Sequence, residues 1–223
     1  MADLPLLNGP ALPPASGQPP RQIVLLLHGV GADGNDLIGL APFFQQVLPE
    51  AAFFSPNAPE RYDMAAFGHQ WFSIRDFGPV ARLKGARAAA PILDHFIDHL
   101  LAIFGLAEEN MALIGFSQGT MMSLHVGLRR ARPLAGIVGY SGALLGPDLL
   151  ASEIRSRPPV LLVHGDADGI LPVAALPQAE AALKANGVSV EAHVRPGLAH
   201  GIDEDGIRLG QEFLKARFGQ GNR

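Results

Sequence analysis

Ser117 stands in Gly115-Phe116-Ser117-Gln118-Gly119, directly after the apolar run Met111-Ala112-Leu113-Ile114 and ahead of a helix-forming stretch that reaches about Arg130. A Gly-x-Ser-x-Gly segment between a strand and a helix is a nucleophile elbow: it lifts the serine hydroxyl into the open and aims helix N-terminal amides at a developing oxyanion. Gly115 and Gly119 suit it because so sharp a turn leaves no room for side chains beside the serine. Taken alone, the pentapeptide could be an ordinary strand-helix turn, so the chemistry depends on what else the chain supplies.

A serine hydroxyl attacks at neutral pH only when a base takes its proton, and the usual base is a histidine oriented by a carboxylate. In this chain order the acid follows the serine and the histidine comes last. The run Val160-Leu161-Leu162-Val163 ends in His164-Gly165-Asp166-Ala167-Asp168-Gly169, which puts two acids just past a strand end. The residue pattern leaves Asp166 and Asp168 open, since either could simply satisfy its own turn. His200 follows in Pro196-Gly197-Leu198-Ala199-His200-Gly201, a loop between the last strand and the last helix. His193 is the competing base, but it lies within the strand. An oxyanion needs two backbone donors. The expected pair is the amide of Gln118, next to the nucleophile, and that of Val30 in the loop after Leu27-His28-Gly29.

Other polar residues have weaker claims. Ser141 in Gly139-Tyr140-Ser141-Gly142 lacks the second elbow glycine and reads as a turn residue. His95 and His99 are four apart on a helix, yet the glutamate of a zinc-protease motif is missing. Asp94 and Asp98 beside them suggest a solvated face, and no metal site is expected. His69 and His125 read as structural or surface groups.

The elements that must carry these residues alternate between strand and helix. Residues 1–22 form a Pro/Gly-rich N-terminal segment, expected to be extended or partly ordered, and 23–223 a single domain. Ile23 to Leu27 is a continuous apolar run, the signature of a strand buried on both faces. A helix is expected from Asn35 or Asp36 to about Leu48, then a short strand at Ala52 to Phe54 and an irregular stretch to Gly78. A helical pattern runs from Val80 to Phe104, with Pro91 expected to kink or split it. Strands follow at Leu134 to Tyr140, Val160 to His164 and Val188 to Val194, with helices near Ala174 to Ala185 and Asp203 to Phe218. This alternation predicts an α/β fold with a mainly parallel central sheet and helices on both faces. Ligands in such sheets bind at the carboxyl ends of the strands, where His28-Gly29, Ser117, His164-Gly165 and the loop after Val194 all emerge. The elements use most of the chain, so no large lid domain is expected.

The 223 residues are 48% apolar, carry a net charge of −4 and contain no cysteine. That gives no basic footprint for nucleic acid and no cysteine nucleophile, disulfide or thiolate metal site. The first residues lack the positive n-region and apolar core of a secretory signal, and no apolar run approaches the ~20 residues of a membrane span. A cytoplasmic protein without stable membrane insertion is expected.

With these residues in hand, the chain resembles the phospholipase/carboxylesterase family of small α/β hydrolases, which includes acyl-protein thioesterases and bacterial carboxylesterases. The resemblance rests on Leu27-His28-Gly29-Val30-Gly31-Ala32-Asp33-Gly34-Asn35-Asp36-Leu37, Pro56-Asn57-Ala58-Pro59, Trp71-Phe72, the elbow, Ser141-Gly142, His164 to Asp168 and Gly197 to Gly201. It extends from about Ile23 to near the C-terminus. It implies the α/β-hydrolase fold and puts the catalytic acid at Asp168, with Ser117 as nucleophile, His200 as base, and Val30 and Gln118 as oxyanion donors. It further implies an open apolar groove, for which Met64, Trp71, Phe72 and Leu171 are candidate lining residues. The expected activity is cofactor-free hydrolysis of carboxylic esters with small or medium acyl chains, extending to thioesters or lysophospholipids, through an acyl-enzyme. The expected partners are a small ester and water, and an apolar rim beside the cleft leaves a homodimer open. A non-enzymatic acyl- or protein-binding member of the fold, and a peptidase or amidase, are the alternatives. Thr120 and Met121 depart from the smaller residues common after the elbow, and Ser73 from an Asp common in thioesterase-like members.

Overall fold

The computed structural model describes residues 4–219. Its centre is a seven-stranded sheet in the order β1 (Ala11–Leu12), β3 (Ala51–Phe54), β2 (Gln22–Leu27), β6 (Met111–Phe116), β7 (Gly136–Tyr140), β8 (Val160–Gly165) and β9 (Val190–Arg195). All neighbours are parallel except the β1–β3 pair. Successive side chains in a strand face opposite ways, and the core divides accordingly. From β2, Ile23, Leu25 and Leu27 pack towards α3 (Pro79–Phe104) and α4 (Gln118–Gly127), sharing one apolar cluster with Leu93, Ile97 and Met122. Val24 and Leu26 face the other way. They join Leu37 of α1 (Gly34–Ile38), Phe44 of α2 (Ala41–Gln45), and Phe213 and Leu214 of α7 (Glu204–Gly219). A third cluster packs Ile137 and Leu162 against Leu176 and Leu183 of α6 (Ala175–Ala185). This is the mainly parallel, helix-covered sheet read from the alternation and the α/β-hydrolase fold that the resemblance implies, and no segment between the elements is large enough to form a lid domain.

Three local expectations need correction. The helix expected from Asn35 or Asp36 to Leu48 is two short helices, capped earlier than expected, with the Asp33 side chain accepting from the Asn35 amide at 2.8 Å. Pro42 accounts for the break, because it has no amide for a helix running through it and instead sits in the first turn of α2. Pro91, by contrast, neither ends nor divides α3, which stays one helix of 26 residues. Ala86 and Ala89 before it and Leu93, Phe96 and Ile97 after it are buried in the same core, so packing on both sides outweighs one missing hydrogen bond. The stretch before Gly78 also contains a two-stranded ribbon, β4 (Glu60–Arg61) with β5 (His69–Gln70). A last short helix, α5 (Leu150–Glu153), follows β7.

The N-terminal residues are tied to the sheet. Besides the β1 pairing, the amides of Ser55 and Asn57 donate to the carbonyls of Pro10 and Asn8 at 3.0 and 2.7 Å. No helix among the described residues is long and apolar enough to cross a membrane.

Candidate active site

Ser117 sits between the end of β6 and the start of α4 with φ 53° and ψ −113°, a conformation that side-chain-bearing residues rarely adopt. Strain of this kind costs on the order of 1–3 kcal/mol and persists only where its surroundings enforce it. The surroundings here are two close approaches. A Cβ on Gly119 would lie 1.8 Å from the Leu27 carbonyl oxygen, and one on Gly115 would lie 2.4 Å from the Thr120 amide nitrogen. The Ser117 amide also donates to Tyr140 O at 2.9 Å, which ties the turn to β7.

The candidate acid and base come from neighbouring strands. β8 leads into Asp168 and β9 into His200, and His200 Nδ1 donates to Asp168 Oδ2 at 2.7 Å. The two loops meet closely, since a Cβ on Gly165 would fall 2.0 Å from Leu198 O. The other oxygen of Asp168 accepts from the amides of Ile170 and Leu171 at 2.8 and 2.9 Å. Burial pushes the Asp168 carboxyl up, but the His200 hydrogen bond and the Leu171 and Ile170 amides outweigh it and hold it below the ordinary carboxylate value. Asp166 does a different job, accepting from the Gly197 amide at 2.6 Å and bracing the loop that carries His200. His193 stays in β9 opposite Val163.

His200 packs on the ring of Phe116, centroid to centroid at 4.9 Å, so the residue before Ser117 supports the histidine. Ser141 Oγ donates to Gly201 O at 3.1 Å and steadies the same loop. Ser117 Oγ makes no hydrogen bond among the described residues. Contacts between nucleophile and base are often loose in a free site and tighten with substrate.

Ser117, Gln118 and Val30 line one cavity of about 60 Å³ with Phe72, Met121, Leu171, Ile74, Phe77, Ile170 and Arg82. The amide of Gln118 is the first of α4 and has no acceptor within the helix. That of Val30 has no acceptor among the described residues. The Gln118 side chain faces away, accepting from the Trp71 amide at 2.8 Å and donating to Phe72 O at 2.7 Å.

Of the four expected lining residues, Phe72 and Leu171 border this cavity, and Trp71 and Met64 do not. Trp71 is buried with its indole N–H on His28 O at 3.0 Å, and Met64 is 59% exposed on the 62–68 loop. Thr120 and Met121 also part company. Thr120 Oγ1 lies 2.8 Å from Gly115 O and 2.9 Å from Tyr140 O beneath the elbow, whereas Met121 faces the cavity. Ser73 stands apart, donating to Asp63 at 2.6 Å.

Two histidines carry more of the architecture than their motifs suggested. His28 is fully buried; its Nε2 accepts from the Ala58 amide at 3.0 Å, so its Nδ1 carries the proton donated to Gly29 O at 2.7 Å. Burial pushes its pKa down, which keeps the ring neutral beneath the Val30 turn. His164 is 1% exposed, with Nε2 at 3.0 Å from Leu171 O and 3.1 Å from Asp168 Oδ2. Both neighbours only accept, so this nitrogen carries a proton. A signal existed in the sequence: an apolar run ending in His-Gly occurs twice, and a ring at the end of a fully buried strand must find partners.

The remaining candidates lie elsewhere. Asp94 and Asp98 both pair with Arg130, near His95 and His99 on α3. No group of three or more His, Cys, Asp or Glu side chains that could hold a metal ion occurs among the described residues. His69 Nδ1 is 2.9 Å from Ala58 O.

The profile of the phospholipase/carboxylesterase family matches residues 14–218. Acyl-protein thioesterase 1 of Kluyveromyces lactis is 31% identical over 171 residues, covering 71% of this chain and 75% of its own length. Esterase YpfH of Escherichia coli is 26% identical over 198 residues, covering 89% and 84%. Among solved structures, esterase PE8 superposes with a TM-score of 0.91 at 41% identity, covering 95% of this chain and 99% of that one.

Proposed function

The chain belongs to the phospholipase/carboxylesterase family, and from that premise we propose that it is a serine carboxylesterase using Ser117, His200 and Asp168. The observation that carries the reading is the 2.7 Å hydrogen bond from His200 Nδ1 to Asp168, beside a cavity that Ser117 shares with Val30 and Gln118.

In this mechanism His200 Nε2 takes the Ser117 hydroxyl proton as Oγ bonds to the ester carbonyl carbon. The carbonyl oxygen becomes an oxyanion held by the Val30 and Gln118 amides, each worth about 3–4 kcal/mol of transition-state stabilisation by analogy with other oxyanion donors. Collapse breaks the bond to the alcohol oxygen, which leaves with the proton from His200. Water then repeats the sequence on the acyl-enzyme, its proton passing to His200 and from there back to Ser117 as the carboxylic acid departs. Asp168 holds His200 in the Nδ1–H tautomer throughout and stabilises the transient imidazolium. A thioester differs only in its leaving group and falls within the same proposal.

The small apolar cavity at Ser117 favours short or medium chains on the arm that enters it. We further propose that the enzyme is cytoplasmic and acts on small esters; no helix among the described residues is long and apolar enough to cross a membrane. The test is a panel of p-nitrophenyl esters, acyl thioesters and peptides, run with fluorophosphonate labelling. Labelling at Ser117 with ester turnover is the expected result; unlabelled Ser117, or peptide cleavage without ester cleavage, overturns the reading.

A further inference from the structure

Arginines that leave the surface need a carboxylate, and in this protein nearly all of them have one. Arg129 pairs with Glu153, Arg130 with Asp94 and Asp98, Arg195 with Asp203, and Arg217 with Glu191. Arg82 is also half-buried, yet it forms no ion pair among the described residues, and its buried Nε has no hydrogen-bond partner. Its guanidinium lies over the Phe77 ring, 4.7 Å from the centroid. That contact orients the charge without neutralising it. Burial pulls the pKa of Arg82 below the ordinary guanidinium value, the direction expected where no anion compensates. The group stays charged all the same.

Its position gives the unpaired charge a meaning. Arg82 and Phe77 line the cavity that holds Ser117. Arg82 also lines a second, larger groove of about 450 Å³, which shares Leu171 with the first and is bordered mostly by apolar groups such as Leu144, Leu145, Pro147 and Pro172, with Gln178 as its one uncharged polar side chain. The cation therefore stands where the two spaces join. An ester arm lying along this groove from Ser117 would meet mostly apolar walls and a single half-buried cation.

We propose that Arg82 is a specificity residue, and that the preferred substrates are esters carrying an anionic group, a carboxylate or a phosphate, on the arm that lies along this groove. The inference rests on Ser117 being the nucleophile. A planar fork with free N–H groups is suited to either anion. A neutral arm leaves the guanidinium unpaired, and a site built for a charged partner discriminates against the analogue that lacks it.

The experiment compares matched esters on the full-length protein: monoethyl adipate against ethyl hexanoate for an anion on the acyl arm, and 2-carboxyethyl and 2-phosphoethyl butyrate against propyl butyrate for anions on the alcohol arm. The parent is expected to favour the anionic member of at least one pair by about tenfold or more in kcat/KM, with the difference in KM. The pair in which this appears distinguishes carboxylate from phosphate and one arm from the other. In Arg82→Gln the anionic-to-neutral ratio collapses towards one, and Arg82→Lys restores part of it. Independently of any variant, adipate should inhibit ethyl hexanoate hydrolysis competitively and 1,6-hexanediol should not. A parent that favours the neutral ester in every pair, or a preference that survives in Arg82→Gln, overturns the proposal. Loss of the anion preference with neutral esters still cleaved leaves the Ser117 reading intact; a parent that cleaves no ester of any kind overturns both.

Discussion

His164 Nε2 lies 3.1 Å from Asp168 Oδ2, the same oxygen that receives His200 Nδ1 at 2.7 Å. The Asp168 carboxylate is therefore held from both sides, with Leu171 O also 3.0 Å from His164 Nε2. This makes His164 a positioning residue for the 168–171 turn. His164→Ala is expected to destabilise the fold by about 1–3 kcal/mol, the cost of losing a buried hydrogen bond. Misaligning Asp168 should also lower kcat by roughly 10- to 100-fold. His164→Gln can restore a donor near the Nε2 position and should recover much of kcat. Equal losses in both variants would mean that only the bulk of the ring matters.

Asp166 and Asp168 differ by two positions and by nearly everything else. Asp168→Asn should lower kcat by about 10⁴, because the amide cannot hold His200 in the required tautomer. Asp166→Asn keeps an acceptor for the Gly197 amide, and its effect on kcat should be far smaller. Steady-state kinetics on one ester, with melting temperatures for both variants, decides between them.

The buried ring of His125 has its pKa pushed down to about 4, first by burial and then by the nearby Arg129. An unfolded histidine titrates near ~6.5, so between about pH 6.5 and 4 the unfolded chain binds a proton that the folded chain refuses. Stability should fall as pH drops through that window and lose nothing further from this group below it. The full effect is on the order of 3 kcal/mol at 1.36 kcal/mol per unit. Urea unfolding at pH 8 and pH 5 should show about 2 kcal/mol of it, because pH 5 lies inside the window, and His125→Leu should shrink the difference. An unchanged difference would assign the acid sensitivity to other groups.

Met121 faces the cavity next to Ser117 and is 3% exposed. Met121→Ala should cost about 2–5 kcal/mol of stability, as large-to-small changes in a packed site do. It should also move the optimum of a p-nitrophenyl ester series from short towards longer acyl chains. Thr120→Ser, beneath the elbow and outside the cavity, should leave the order of chain lengths as it was.

The polar residues at the strand ends were readable before any coordinates because they interrupt apolar runs: Ser117 after Met111 to Ile114, Asp168 after Val160 to Val163. The continuous apolar run Ile23 to Leu27 and the alternation of strands with helices likewise announced a sheet covered on both faces. Residue types could not say which of two nearby acids reaches His200, since that depends on Gly165 admitting Leu198 and on where each loop turns. Thr120 and Met121 are adjacent in sequence yet point to different surroundings, and only the helix phase separates them. Pro91 misled because proline's local penalty is fixed, whereas the packing that overrides it belongs to the assembled core. Arg82 could not be noticed in the sequence at all. An unpaired charge is a property of the neighbourhood, not of the residue.

The short β1 strand limits how copies of this protein can join. Of the two sheet margins, β9 offers six residues and β1 offers two, with Pro10, Pro13 and Pro14 beside them. Proline supplies no amide to a growing ladder. Backbone pairing between molecules would therefore have to run β9 against β9, an arrangement with two-fold symmetry that uses up the same margin on both copies. Sheet extension would end at two chains, so the proline-flanked strand protects the fold from open-ended polymerisation.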